Sequence, residues 1–172
     1  MTPIVHPSAL PPAELLVECE VRRQRRSGPG GQHRNKVETA IVLVHRPTGV
    51  RAEATERRSQ AENQTIAIQR LRVRLALEVR STERGPADSR PSSLWQSRIH
   101  GNQIKVSPAH DDFPPLLAEA LDRVAACGLD LKAAAEQLGC SPSQLIKFLK
   151  LEPKALMQVN EQRGAAGLGL LH

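Results

Sequence analysis

The sequence predicts an α+β protein: a small β-sheet packed by one long helix, followed by a small, mostly helical region with a helix-turn-helix-like segment. Three observations carry this prediction. Short alternating or β-branched runs, separated by glycine and proline turns, fill residues 15–54. One apolar periodicity of about 100° per residue runs from Ser59 to about Arg80. Beyond a stretch rich in Gly, Pro and Ser, apolar residues recur at helical spacing between proline starts and glycine stops.

In chain order, Met1 to Pro12 carries four prolines and reads as an extended, loosely held N-terminus. Residues from Leu15 to Arg22 alternate apolar and polar, which predicts a half-buried strand with Val17, Cys19 and Val21 on one face. The run Ser27-Gly28-Pro29-Gly30-Gly31-Gln32-His33 follows, preceded by Arg22, Arg23, Arg25 and Arg26 and trailed by Arg34, Asn35 and Lys36. Glycines admit dihedrals closed to other residues and carry no side chain, so this loop suits a close approach to something large. No acid interrupts the arginines from Val21 to Val37, which makes that object a polyanion. Asn35 to Thr39 predicts one helical turn. Ala40 to His45 reads as a buried strand, Arg46-Pro47-Thr48-Gly49 as a tight turn, and Val50 to Ala54 as the returning strand of a hairpin.

Ser59 opens the long helix, with Glu62 three residues on as in a capping box. Ile68, Leu71, Leu75 and Val79 form the stripe expected to pack on the sheet. Ile66, Val73 and Leu77 form a second stripe expected to be covered by the C-terminal half. Arg70 and Arg74 share a face next to the second stripe, within reach of phosphates or simply solvated.

The expected organisation is an N-terminal extension (1–12), a sheet-and-helix domain (13–84), a linker (85–93), a small hairpin plus helical bundle (94–163) and a flexible tail (164–172). Within the bundle, Leu94–Ile99 and Gln103–Val106 predict a second hairpin around His100-Gly101-Asn102. Trp95 reads as a packing anchor between the halves. Helices are predicted from Pro114 to Gly128, over Leu131–Leu138, from Pro142 past Leu149, and from Pro153 through Val159. Ala135, Gly139, Leu145 and Phe148 fit helix-turn-helix spacing, which would expose Ser143, Gln144, Lys147 and Lys150.

Composition bounds the function. The 172 residues are 40% hydrophobic with two Phe, one Trp and no Tyr, so the core should be aliphatic. The net charge of +6 lies wholly in residues 1–84, and residues 85–172 balance to zero. The two halves therefore do different jobs, and only the first has the field for a nucleic acid. Cys19, Cys127 and Cys140 lack metal-ligand spacing and read as reduced, buried thiols of a cytoplasmic protein. No metal, cofactor, signal peptide or membrane span is expected.

The run Ser27-Gly28-Pro29-Gly30-Gly31-Gln32-His33-Arg34-Asn35-Lys36, then Pro47-Thr48-Gly49, then Arg58-Ser59-Gln60 entering a helix, resembles the catalytic domain of class I peptide chain release factors. Within that superfamily it is most similar to the short, codon-independent ribosome-rescue hydrolases, over roughly residues 13–82. The resemblance implies an enzyme that hydrolyses the peptidyl-tRNA ester at the peptidyl-transferase centre of the large subunit. It implies a catalytic role for Gln32, with its backbone N–H stabilising developing charge and its side chain placing the attacking water. Gly30 and Gly31 allow that approach. Arg22, Arg23, Arg25, Arg26, His33, Arg34, Asn35, Lys36, Arg57, Arg58, Arg70 and Arg74 are the candidate RNA contacts. Glutamine is no general base near neutral pH, so the chemistry rests on positioning and electrostatics.

About a dozen residues precede the domain, so stop-codon reading is not expected. The end of the chain carries one arginine, Arg163, within residues 162–172, unlike the basic tails of many rescue hydrolases. The expected partners are large-subunit rRNA and peptidyl-tRNA, with the C-terminal region open to a protein partner and the chain a monomer. The competing reading is a non-enzymatic helix-turn-helix or RNA-binding module.

Overall fold

The computed structural model of the chain describes residues 5–25, 39–81 and 90–172. The chain divides into two compact units, Val5–Glu78 and Val79–His172.

The first unit is a three-stranded antiparallel sheet in the order β1 (Cys19–Gln24), β2 (Ala40–His45), β3 (Arg51–Ala54), with the 19-residue helix α2 (Gln60–Glu78) packed across β2 and β3. The predicted hairpin forms: Leu43 pairs with Ala52 and Val44 with Arg51, and Gly49 closes the turn at φ +74°. That left-handed conformation is open to glycine at little cost. Strand alternation sends Ala52 and Ala54 to the buried face and leaves Arg51 and Glu53 exposed. On the exposed face Val42 is nonetheless buried, lying in register between Arg22 and Glu53. The aliphatic stems of such side chains cover apolar surface while their heads stay in water.

Two expectations at the start of the chain are corrected. Within the stretch read as extended, Pro7–Ala9 forms a 3-10 turn capped by His6, whose ring nitrogen accepts from the Ser8 N–H. The alternation from Leu15 predicts a strand, but Pro12–Val17 forms the helix α1, with Pro12 at a position where its missing N–H costs nothing. Leu15 is therefore fully buried, while Val17, on the opposite side of the turn, is 73% exposed. The strand begins only at Cys19.

Along α2 the buried residues include Ala67, Ile68, Leu71, Leu75, Ala76 and Leu77, whereas Ile66 and Val73 are half-buried. Part of α2 is covered from within its own unit: Arg72 is 5% exposed and donates to the Ser8 carbonyl at 2.9 Å.

The second unit contains α3 (Ser93–Arg98), the minimal hairpin β4 (Ile99–His100) and β5 (Gln103–Ile104), and the helices α4 (Phe113–Ala126), α5 (Leu131–Gln137), α6 (Pro142–Leu149) and α7 (Pro153–Ala165). Leu94–Arg98 is thus helical rather than the first strand of a hairpin. The Ser92 hydroxyl caps α3 from the Trp95 N–H at 3.0 Å, and Glu119 on α4 accepts from the Ser92 N–H at 2.7 Å. Only two residues per strand remain, joined by Gly101 and Asn102, both at positive φ. Helices α5, α6 and α7 start at side-chain caps on Asp130, Ser141 and Glu152, whereas α4 starts without one and has Pro114 and Pro115 in its first turn.

All three aromatic residues of the chain meet here. Trp95 and Phe113 each pack edge-on against Phe148 at 5.6 Å between centroids, and the Trp95 indole donates to the Leu138 carbonyl at 2.8 Å. Trp95 thus anchors the interior of its own unit. The aliphatic core predicted for the whole chain holds for Val5–Glu78, which has no aromatic residue, and fails for the second unit. The end of the chain turns back on α7: Asn160 and Leu171 exchange two hydrogen bonds at 2.8 and 3.1 Å, and Arg163 donates to Gly169 at 2.7 Å.

Candidate functional site

Gly30, Gly31, Gln32, Arg26, His33, Arg34, Asn35, Lys36 and the predicted turn at Asn35–Thr39, except Thr39, lie outside the described residues. The base from which that segment springs is described in full. Gln24, the last residue of β1, pairs with Ala40, the first of β2. The chain therefore leaves and re-enters the sheet at one point, and Gln32 stands eight residues from each side of it. Eight residues reach at most about 26–29 Å when fully extended, which bounds the distance of Gln32 from the base.

The arginines leading to this base sit on β1 and alternate in direction. Arg22 shares a face with Glu20 and Gln24, and Arg23 occupies the other with Val21. Arg22 donates to both Glu20 carboxylate oxygens at 2.7 and 3.1 Å, which raises its own pKa and lowers that of Glu20. Both side chains are exposed, so the pair is screened by solvent and adds little stability. Arg23 is exposed and has no hydrogen-bond partner among the described residues; Arg25 is exposed at the strand's end.

The returning side of the base is tied to the connection between β3 and α2. Asn63, fully buried in the first turns of α2, donates to the Thr39 carbonyl at 2.6 Å and to the Arg57 carbonyl at 3.0 Å, and accepts from the Arg57 N–H at 2.9 Å. The structure thus brings the exposed Arg57-Arg58 turn beside the stem of the glycine loop, although the two are about twenty residues apart in sequence. The Ser59 hydroxyl takes the Glu62 N–H at 3.4 Å, as expected at this helix start.

Arg70 and Arg74 lie elsewhere. They run along β3, donating to the Glu53 carbonyl at 2.9 Å and the Arg51 carbonyl at 2.5 Å. Arg70 also pairs with Glu56, and that guanidinium hydrogen bond holds the Glu56 carboxyl at about 2. These two arginines blunt an edge strand by occupying its carbonyls. Their heads remain exposed.

Sequence reasoning missed three buried polar side chains that shape the unit. Asn63 falls on the 63–67–71–75 row of α2, so a polar residue at an apolar position was its signal. His45 is 1% exposed, with ring nitrogens 2.8 Å from the Glu18 carboxylate and 2.7 Å from the Thr48 hydroxyl. It locks the end of β2 to the turn. Arg72 interrupts α2 in the same way as Asn63.

No group of three His, Cys, Asp or Glu able to hold a metal occurs among the described residues, and no described helix is long and apolar enough to cross a membrane.

The family described as the RF-1 domain matches residues 14–111, which extends past the glycine loop, the hairpin and α2 into the second unit. Peptide chain release factor 1 of Verminephrobacter eiseniae is 47% identical over 73 residues, 42% of this chain and 19% of that protein. Peptide chain release factor PrfB1, chloroplastic, of Arabidopsis thaliana is 46% identical over 69 residues, 38% and 15% of the two chains. Peptide chain release factor 1 of Delftia acidovorans is 44% identical over 97 residues, 56% and 26%. The chain spans between a seventh and about a quarter of the length of these relatives. The match covers more than half of the chain, and the chain belongs to the RF-1 domain family, the catalytic-domain family of class I peptide chain release factors.

Proposed function

We propose that this protein hydrolyses the peptidyl-tRNA ester on the ribosome or its large subunit, without reading a codon, and so releases nascent chains from stalled complexes. The observation that carries the reading is the Gly30-Gly31-Gln32 loop in its full context, in a chain of the RF-1 domain family. Gln32 is the catalytic residue in this reading. Its N–H meets charge developing at the ester, and its side chain admits and orients water. One preorganised donor in a site closed to bulk water is worth roughly 3–4 kcal/mol. Gly30 and Gly31 leave room for the tRNA end, and the rest of the catalysis is positioning supplied jointly with RNA.

In the same reading, Arg22, Arg23, Arg25, Arg26, His33, Arg34, Asn35, Lys36, Arg57 and Arg58 neutralise rRNA or tRNA phosphates around the loop. Arg70 and Arg74 reach them from farther along α2. Each phosphate contact releases counterions, so binding should weaken steeply with salt. The protein acts as a cytoplasmic monomer with no cofactor, and residues 94–163 form a docking module for protein or a local rRNA feature. The test is peptide release from ribosome-bound peptidyl-tRNA by the wild type and by Gln32→Ala, with binding followed by co-sedimentation.

A second reading has one observation in its favour. The helices α5 and α6, joined by four residues with Gly139 at φ +69°, leave Ser143 and Lys147 exposed on α6 and Lys150 exposed at its C-cap, as a helix-turn-helix reader of DNA would. Residues 85–172 balance to zero charge, which removes the main source of DNA affinity. Sequence-specific DNA binding that survives Gln32→Ala, without association with large subunits, would support that reading over the hydrolase.

A further inference from the structure

We propose that Asn63 is the positioning residue of the glycine loop. Its amide ties Thr39, where the chain returns to the sheet, and the Arg57-Arg58 turn to the first turns of α2. This rests on the reading of Gln32 given above.

The side-chain amide has two donors and one acceptor group, and all are engaged. One N–H goes to Thr39, the other to Arg57, and the carbonyl takes the Arg57 N–H, all between 2.6 and 3.0 Å. The pairing with both backbone groups of Arg57 imitates one rung of a β-ladder and fixes the plane of the amide. The residue is fully buried. An apolar side chain on the 63–67–71–75 row would extend the core, and Asn is a poorer helix former than the alternatives. What the amide adds is a link between segments 24 residues apart, Thr39 and Asn63, directly at the point where the loop rejoins the sheet. Thr39 stands seven residues after Gln32, so a shift in the stem moves the loop's origin. Misplacement of a reacting group by about 1 Å lowers rate on the order of 100-fold.

Asn63→Asp is the informative variant. It keeps the acceptor for the Arg57 N–H but turns an oxygen toward two carbonyls that the amide donated to. Single-turnover release at saturating protein should fall on the order of 100-fold, while the half-saturating concentration for the ribosomal complex stays near that of the wild type. The ratio of mutant to wild-type rate should rise as pH falls, because a protonated carboxyl regains one donor. Leu77→Ala is the control for stability alone: it opens the core about 21 Å farther along α2 and should release at the wild-type rate wherever it is folded.

Wild-type release by Asn63→Asp, or a loss that only follows its melting temperature as in Leu77→Ala, would overturn the proposal. Should the carboxylate prevent folding, Asn63→Ser, which retains one hydroxyl donor, is read in the same way. If the wild type itself releases no peptide, the hydrolase reading falls separately. Amide exchange at Ala40, faster in Asn63→Asp than in Leu77→Ala, then supports the tie, and equal exchange in the two removes it.

Discussion

Phe148→Leu tests how the second unit is held together. Phe148 is 1% exposed and touches both other aromatic rings of the chain at 5.6 Å, edge to face. Leucine keeps an apolar side chain there but removes two aromatic pairs, each worth about 0.5–1.5 kcal/mol beyond area. The expected loss is therefore about 1–3 kcal/mol. Trp95 is the only tryptophan, so its fluorescence reports this unit and not the sheet. With a urea slope of about 1–3 kcal/mol/M, the fluorescence midpoint should fall by on the order of 1 M with the slope unchanged. Circular dichroism of the first unit should be unaffected before that transition. A native emission typical of solvated indole, or an unmoved midpoint in the variant, would refute the packing of Trp95 and Phe113 about Phe148.

The other predictions concern titration and reactivity. Glu56 should titrate near 2, and Arg70→Gln should return it toward the ordinary carboxylate range, as followed by carbon NMR of the carboxyl. Because its folded pKa is depressed, the Arg70 pair contributes above the unfolded value of about 4.3 and is lost as pH falls toward 2. The contribution is small because both side chains are exposed. Burial pushes the Cys140 thiol up to about 11 and raises Cys127 and Cys19 as well, so at pH 8 all three should react with a disulfide reagent more slowly than free cysteine, and the Cys140 rate should keep rising past pH 9.

Elements set by local chemistry were legible in the sequence. Pro47-Thr48-Gly49 placed the hairpin turn because the left-handed Gly49 cannot easily be replaced, and Ser141-Pro142 marked the start of α6 through a cap that needs no distant partner. Elements set by distant contacts were not. The apolar alternation over Leu15–Val21 fits a strand equally well, but Pro12 starts a helix and Arg46, 29 residues on, donates to the Val17 carbonyl where the helix ends. Leu94–Ile99 looks like a strand until Glu119, 27 residues away, accepts from Ser92 and steadies the cap of α3. Cys127 and Cys140, read as buried, are half-buried near helix ends. The site divides the same way. The arginines and the Gly-Gly-Gln run are written in one continuous stretch, whereas the tie through Asn63 joins Thr39 and Arg57 only in the fold.

The measurement that bears most directly on the central claim is peptide release from stalled ribosomes, and in parallel from isolated large subunits carrying peptidyl-tRNA, with no stop codon. The wild type should release the chain from at least one of these substrates, and Gln32→Ala should bind the same particles while releasing at background. Undiminished release by Gln32→Ala, or no release by the wild type from either substrate, would contradict the account.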